Sequence, residues 1–107
     1  MIKLPEQFKR KGMMYDLEAR NEFVALYRVT SIEADRVVGY EVWKIRIAKE
    51  SEMFGKIIEE REIKPSDEDF GTYAWSFDSY GAAVECYENK HFYYYSKSMN
   101  EKTITTC

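Results

Sequence analysis

Phe23-Val-Ala-Leu-Tyr-Arg-Val-Thr-Ser-Ile32 and Val37-Val-Gly-Tyr-Glu-Val-Trp-Lys-Ile-Arg-Ile47, separated by Glu33-Ala-Asp-Arg36, decide the fold class of this chain. Both runs are dominated by β-branched and aromatic residues, which suit a pleated, half-buried surface, and the residues between them are polar and turn-compatible. The stretch from Phe23 to Ala48 therefore reads as one long β-hairpin. A loop of Glu33 to Arg36 sets Ile32 opposite Val37. Thr30 then faces Gly39, Arg28 faces Glu41, Leu26 faces Trp43 and Val24 faces Ile45. Val29 falls opposite Tyr40 and Tyr27 opposite Val42 on the other side. Each directly opposed pair contributes roughly 0.2–1 kcal/mol, and a slip of one residue would turn every side chain to the wrong face. In this register a helix is expected over Leu26, Trp43, Val24 and Ile45. The opposite patch of Tyr27, Val29, Tyr40 and Val42 is expected under a loop or against a partner.

Outward from the hairpin the chain is less regular. Met1 to Gly12 reads as a mobile lead-in, with a short helical turn in Glu6 to Lys11 stopped by Gly12. Met13-Met-Tyr-Asp-Leu17 suits a short edge strand. After the hairpin, Phe54-Gly55 and Phe70-Gly71 each look like an anchor followed by a turn. Ile57 to Lys64 fits neither the helical nor the strand period and reads as an irregular, partly extended loop. In Pro65-Ser-Asp-Glu-Asp69, Ser66 can cap a single helical turn whose acids suit a helix N-terminus. Thr72 to Phe77 is a strand by composition, with a helix as the competing reading. Asp78-Ser79 then opens a helix to Lys90, in which Ala82, Ala83, Cys86 and Tyr87 recur on one face. Phe92-Tyr-Tyr-Tyr-Ser96 reads as a last strand at a sheet edge, and Lys97 to Cys107 as a mobile polar tail.

These elements predict an α+β fold: one domain over 1–107, a mainly antiparallel sheet of three to five strands, and one C-terminal helix, about 79–90, on one face. The order of hairpin, Trp-bearing strand and Phe77-Asp-Ser-x-x-x-Ala83 opening a helix resembles small α+β modules such as WGR-type domains. Their Trp-Gly-Arg triplet is absent, so no family assignment follows.

The 107 residues suffice for a core but not a deep one. The net charge of −3 argues against general affinity for nucleic-acid backbone, although Lys9, Arg10 and Lys11 make the start of the chain basic. Two cysteines, Cys86 and Cys107, make neither a disulfide framework nor a zinc site. No signal peptide and no membrane-length apolar run is read, so a cytoplasmic location is expected.

Catalytic constellations are hard to find. His91 is the only histidine, without an acid at a fixed offset. Asp67, Glu68 and Asp69 lack the spacing of a calcium loop, and the glycines form no phosphate loop. No catalytic, cofactor or metal residue is assigned, and an enzyme is not expected. Nine Tyr in this length are many, and aromatic rings dominate small cores and interfaces alike. The leading expectation is a non-catalytic protein-interaction or assembly module, binding a protein partner or a second copy and no membrane. Its candidate contacts are Tyr27, Tyr40, Tyr93, Tyr94 and Tyr95. The alternative is a nucleic-acid-associated accessory protein, using the basic arm of Lys9, Arg10 and Lys11 and the tyrosine run, on which bases could stack.

Overall fold

The computed structural model describes residues 1–106, with side chains through 99. Five antiparallel strands form the main sheet in the order β1 (Gln7–Arg10), β2 (Met13–Arg20), β3 (Val24–Ser31), β4 (Arg36–Lys44) and β9 (Ala74–Phe77). Between β4 and β9 the chain leaves the sheet as a two-stranded ribbon. β5 (Arg46–Ala48) pairs with β8 (Arg61–Ile63), and further out β6 (Ser51–Met53) pairs with β7 (Lys56–Ile58). A 3₁₀ turn follows at Asp67–Asp69, and one helix, α1 (Tyr80–Thr106), closes the chain.

The predicted hairpin is present, but its register differs. The loop closes one residue earlier than expected: Ser31 pairs with Arg36, the Ser31 hydroxyl accepts the Ala34 N–H at 3.1 Å, and Asp35 takes φ 52°. Asp tolerates that left-handed conformation better than most residues. Thr30 pairs with Val37 but Val29 with Gly39, so Val38 is an extra, bulged residue. The loop displaces the pairing by two residues and the bulge restores one. The net slip of one places Leu26 opposite Val42, Ala25 opposite Trp43 and Tyr27 opposite Glu41. Leu26 and Trp43 therefore lie on opposite faces, and Arg28 pairs with Asp16 and Glu18 of β2 rather than with Glu41.

Both faces are covered, which explains why Val24, Ala25, Leu26 and Tyr27 are all buried in succession. On one face α1 lays Ala83, Val84, Cys86, Tyr87 and Tyr94 over Val24, Leu26, Val42, Trp75 and Phe77. The Ser79 hydroxyl accepts the Ala82 N–H at 3.2 Å and caps the first turn. Where Phe92–Ser96 was expected to form a strand, the helix continues. The sheet-facing series Ala83, Tyr87 and Tyr94 extends the helical period, and Lys44 Nζ sits 4.8 Å from the Tyr94 ring centre. Tyr94→Ala is expected to destabilise by about 1–2 kcal/mol, whereas exposed Phe92→Ala should stay within about 0.5 kcal/mol. Urea unfolding of both variants checks this; equal midpoints would contradict it. The expectation that residues 97–107 form a mobile tail falls partly on residues 100–107, which lie outside the described side chains.

On the other face an aromatic cluster of Phe8, Tyr15, Tyr27 and Trp43 surrounds Ala25, Val29 and Ile45. Its cover is the segment from β8 to Phe70, not a helix. Lys64 Nζ lies 4.6 Å from the Phe8 ring centre, Arg10 donates to the Pro65 carbonyl at 3.0 Å, and Arg46 pairs with Asp69 at 2.7 Å. Residues 1–12 form no helical turn. They supply β1 and the buried Leu4, and Ile2 runs parallel beside Arg61. β1, not β2, is consequently the edge on this side of the sheet, with β9 at the other.

Candidate interaction surfaces

Strand alternation gathers the polar chemistry of the aromatic face. Tyr15 on β2, Glu41 and Trp43 on β4, and Arg10 on β1 all point to this side. Glu41 retains 9% of its exposure. Its Oε1 accepts the Trp43 indole N–H at 2.9 Å and its Oε2 accepts the Tyr15 hydroxyl at 3.2 Å. Among the described residues no Lys or Arg forms an ion pair with it. Arg10 lies over the rings of Tyr15 and Trp43, 5.3 and 5.8 Å from their centres. Burial, and next the negative Glu41, push the Tyr15 hydroxyl above its ordinary pKa.

Beside this network lies an open cleft of about 540 Å³, whose lining includes Glu41 and Tyr15, the apolar Met13, Val29 and Val38, and Asp78. Gly39 is required there. A Cβ on it would come within 2.8 Å of the Phe77 carbonyl oxygen, so a larger residue would push β9 away from β4.

The ribbon is the second surface. Residues 49–57 are all exposed. At its tip Phe54 and Gly55 take φ 52° and 76°, a turn in which Asn-Gly is the favoured pair. Phe54 instead occupies the left-handed position and is 96% exposed. Ile47, Met53 and Ile57 are exposed on the same ribbon. The anchor role expected of Phe54 is absent, whereas Phe70 does pack against the core.

The candidate residues named from sequence scatter. Tyr27 is fully buried, donates its hydroxyl to the Pro5 carbonyl at 2.6 Å, and has its pKa pushed up by burial to about 12, so it has no surface to offer a partner. Tyr40 is half-buried against Tyr80, Tyr94 is half-buried on the sheet, and Tyr93 and Tyr95 are exposed. The basic arm does not form a patch. Lys9 is exposed, Arg10 turns inward onto the aromatic rings, and Lys11 pairs with Asp67 at 3.0 Å. Among the described residues no three His, Cys, Asp or Glu side chains converge as a metal site would require. No helix among them is long and apolar enough to cross a membrane.

Read from sequence, Glu41 has only a cross-strand role opposite Arg28 and Phe54-Gly55 only that of an anchor and turn, and neither is marked as a contact surface. A lone acid between Tyr40 and Val42-Trp43 in an apolar strand is the signal that marks the first. A Phe in the Asn position of a two-residue turn marks the second. No protein-family model, no curated protein and no solved structure matches the chain.

Proposed function

We propose that this protein is a non-catalytic interaction module that engages a protein partner through the ribbon tip centred on Phe54. The observation that carries this reading is a large aromatic side chain, 96% exposed, in a backbone conformation unfavourable for it. That conformation costs roughly 1–2 kcal/mol in a non-glycine residue, and the ring recovers nothing from the core. An apolar recess on a partner would supply the missing burial. Between residues 49 and 60 the ribbon carries Lys49 and Lys56 against Glu50, Glu52, Glu59 and Glu60. This acidic balance disfavours a nucleic acid or an anionic bilayer and suits a protein recess with a basic rim.

The nucleic-acid reading draws less support, because its three basic residues have separate environments. Cytoplasmic placement fits Cys86, which is free and whose thiol pKa is raised by burial. The test is a photo-crosslinking residue at position 54, with the same residue at Ala34 in another exposed hairpin loop as control. A discrete adduct is expected from 54 alone. Phe54→Asn supplies the residue the turn prefers, so stability should stay equal or rise by about 1 kcal/mol while competition for the adduct is lost. Adducts of the same pattern from both positions, or undiminished competition by Phe54→Asn, would overturn the proposal.

A further inference from the structure

The cleft beside Glu41 has a chemistry of its own. Its lining includes two carboxylates, Glu41 and Asp78, and no Lys, Arg or His. Glu41 is nine-tenths buried and its two hydrogen bonds come from neutral donors, Tyr15 and Trp43. A carboxylate has about four acceptor positions, so each oxygen retains one. Burying a charge without an opposite charge is costly, and low-dielectric walls concentrate its field in the opening. The nearby cation, Arg10, acts on the Tyr15 hydroxyl, lies over the Tyr15 and Trp43 rings and donates to the Pro65 carbonyl, but it neither lines the cleft nor forms an ion pair with Glu41. Met13, Val29 and Val38 provide apolar wall along the same opening. A group that satisfies both features carries a positive end on an aliphatic stem.

We propose that this cleft binds an alkylammonium group, the chemistry shared by a lysine side chain and a small amine. The ammonium donates to the free positions of Glu41, the stem lies against Met13, Val29 and Val38, and Asp78 adds attraction. The site is independent of the ribbon tip and stands whether or not Phe54 docks.

The test is an NMR titration read at the Trp43 indole N–H, which reports directly on Glu41. The chain's other Trp, Trp75, lies on the helix side and serves as internal control. n-Butylammonium should shift the Trp43 signal with a Kd of about 1–10 mM, as expected for so small a ligand. Butyramide, its uncharged counterpart, should not. An acetylated, amidated Gly-Gly-Lys-Gly-Gly peptide binding more tightly than the amine identifies a protein side chain as the source; equal or weaker binding identifies a small amine. Glu41→Gln should weaken binding at least about tenfold. Exposed Asp78→Asn, which leaves the core untouched, should weaken it about twofold to threefold and carries the test if the Glu41 variant does not fold. The absence of a Trp43 shift at about 100 mM butylammonium, equal binding of butyramide, or undiminished binding to Asp78→Asn would overturn the proposal.

Discussion

Trp43→Ala is expected to destabilise this protein by about 3–5 kcal/mol, a large share of the 5–15 kcal/mol typical of a whole domain. Trp43 has no exposed surface. Its ring centre lies 4.3 Å from that of Tyr27, 5.9 Å from Phe8 and 6.0 Å from Tyr15, and Arg10 packs above it. Truncation opens a cavity beneath a covering segment that is held in place by Arg10 through Pro65 and by Arg46 through Asp69. It also removes the indole donor from Glu41. Trp43→Phe separates the two effects: it keeps most of the apolar volume, and its cost of about 1–3 kcal/mol would measure chiefly the lost donor to a buried carboxylate. The half-buried Trp75, with Lys90 Nζ 4.3 Å from its ring centre, gives the comparison, and Trp75→Ala should cost less than Trp43→Ala. Urea unfolding of the three variants reads this order. A Trp43→Ala midpoint within 1 kcal/mol of the parent would place the core elsewhere.

The strands of this core were legible because β-branched and aromatic residues accumulate where a chain is buried on two faces. The register was not, because it depends on two backbone events that composition does not encode. One is the left-handed Asp35 in the loop; the other is the extra residue Val38. Both are permissible for many sequences, and together they exchange the faces of Leu26 and Trp43. The helix beyond Lys90 was obscured for a different reason. Four consecutive aromatic residues at Phe92–Tyr95 have strand propensity, yet helix formation is decided by tertiary packing of one stripe. Tyr94 alone in that run meets the sheet. Residues 1–12 carry little periodicity because β1 is an edge strand of four residues. Its fastening depends on Glu62, far away in sequence. In the register expected from sequence Glu41 faces Arg28; the one-residue slip puts it opposite Tyr27, where Tyr15 and Trp43 are its donors.

That fastening at Glu62 is the second place where one substitution should have a large effect. The Glu62 side chain is 4% exposed and forms a two-pronged ion pair with Arg20, at 2.6 and 2.9 Å, while the Leu4 N–H donates to it at 2.8 Å. Three distant pieces therefore meet on one carboxylate: the end of β2, strand β8 at the ribbon base and the opening residues that lead into β1. Glu62→Ala leaves the Arg20 guanidinium and a backbone N–H without their acceptor. The expected loss is about 3 kcal/mol, the low end for a broken buried pair because Arg20 keeps a quarter of its side chain in water. Hydrogen bonds from Arg20, and secondarily from the Leu4 N–H, hold the Glu62 pKa below its ordinary value of 4.5. A lowered folded-state pKa means that the unfolded chain takes up the proton first. The stabilisation is thus complete above the ordinary value and is lost as pH falls below it toward the lowered one. Glu62→Gln, which has no proton to gain, should be less stable at pH 7 and show a flatter decline in acid. Comparing the two proteins isolates this group, since the other carboxylates titrate in both. Urea unfolding at steps from pH 7 to pH 3 should bring the curves together at the acid end. Curves that remain parallel throughout would show that the ion pair does not hold the opening residues to the ribbon base.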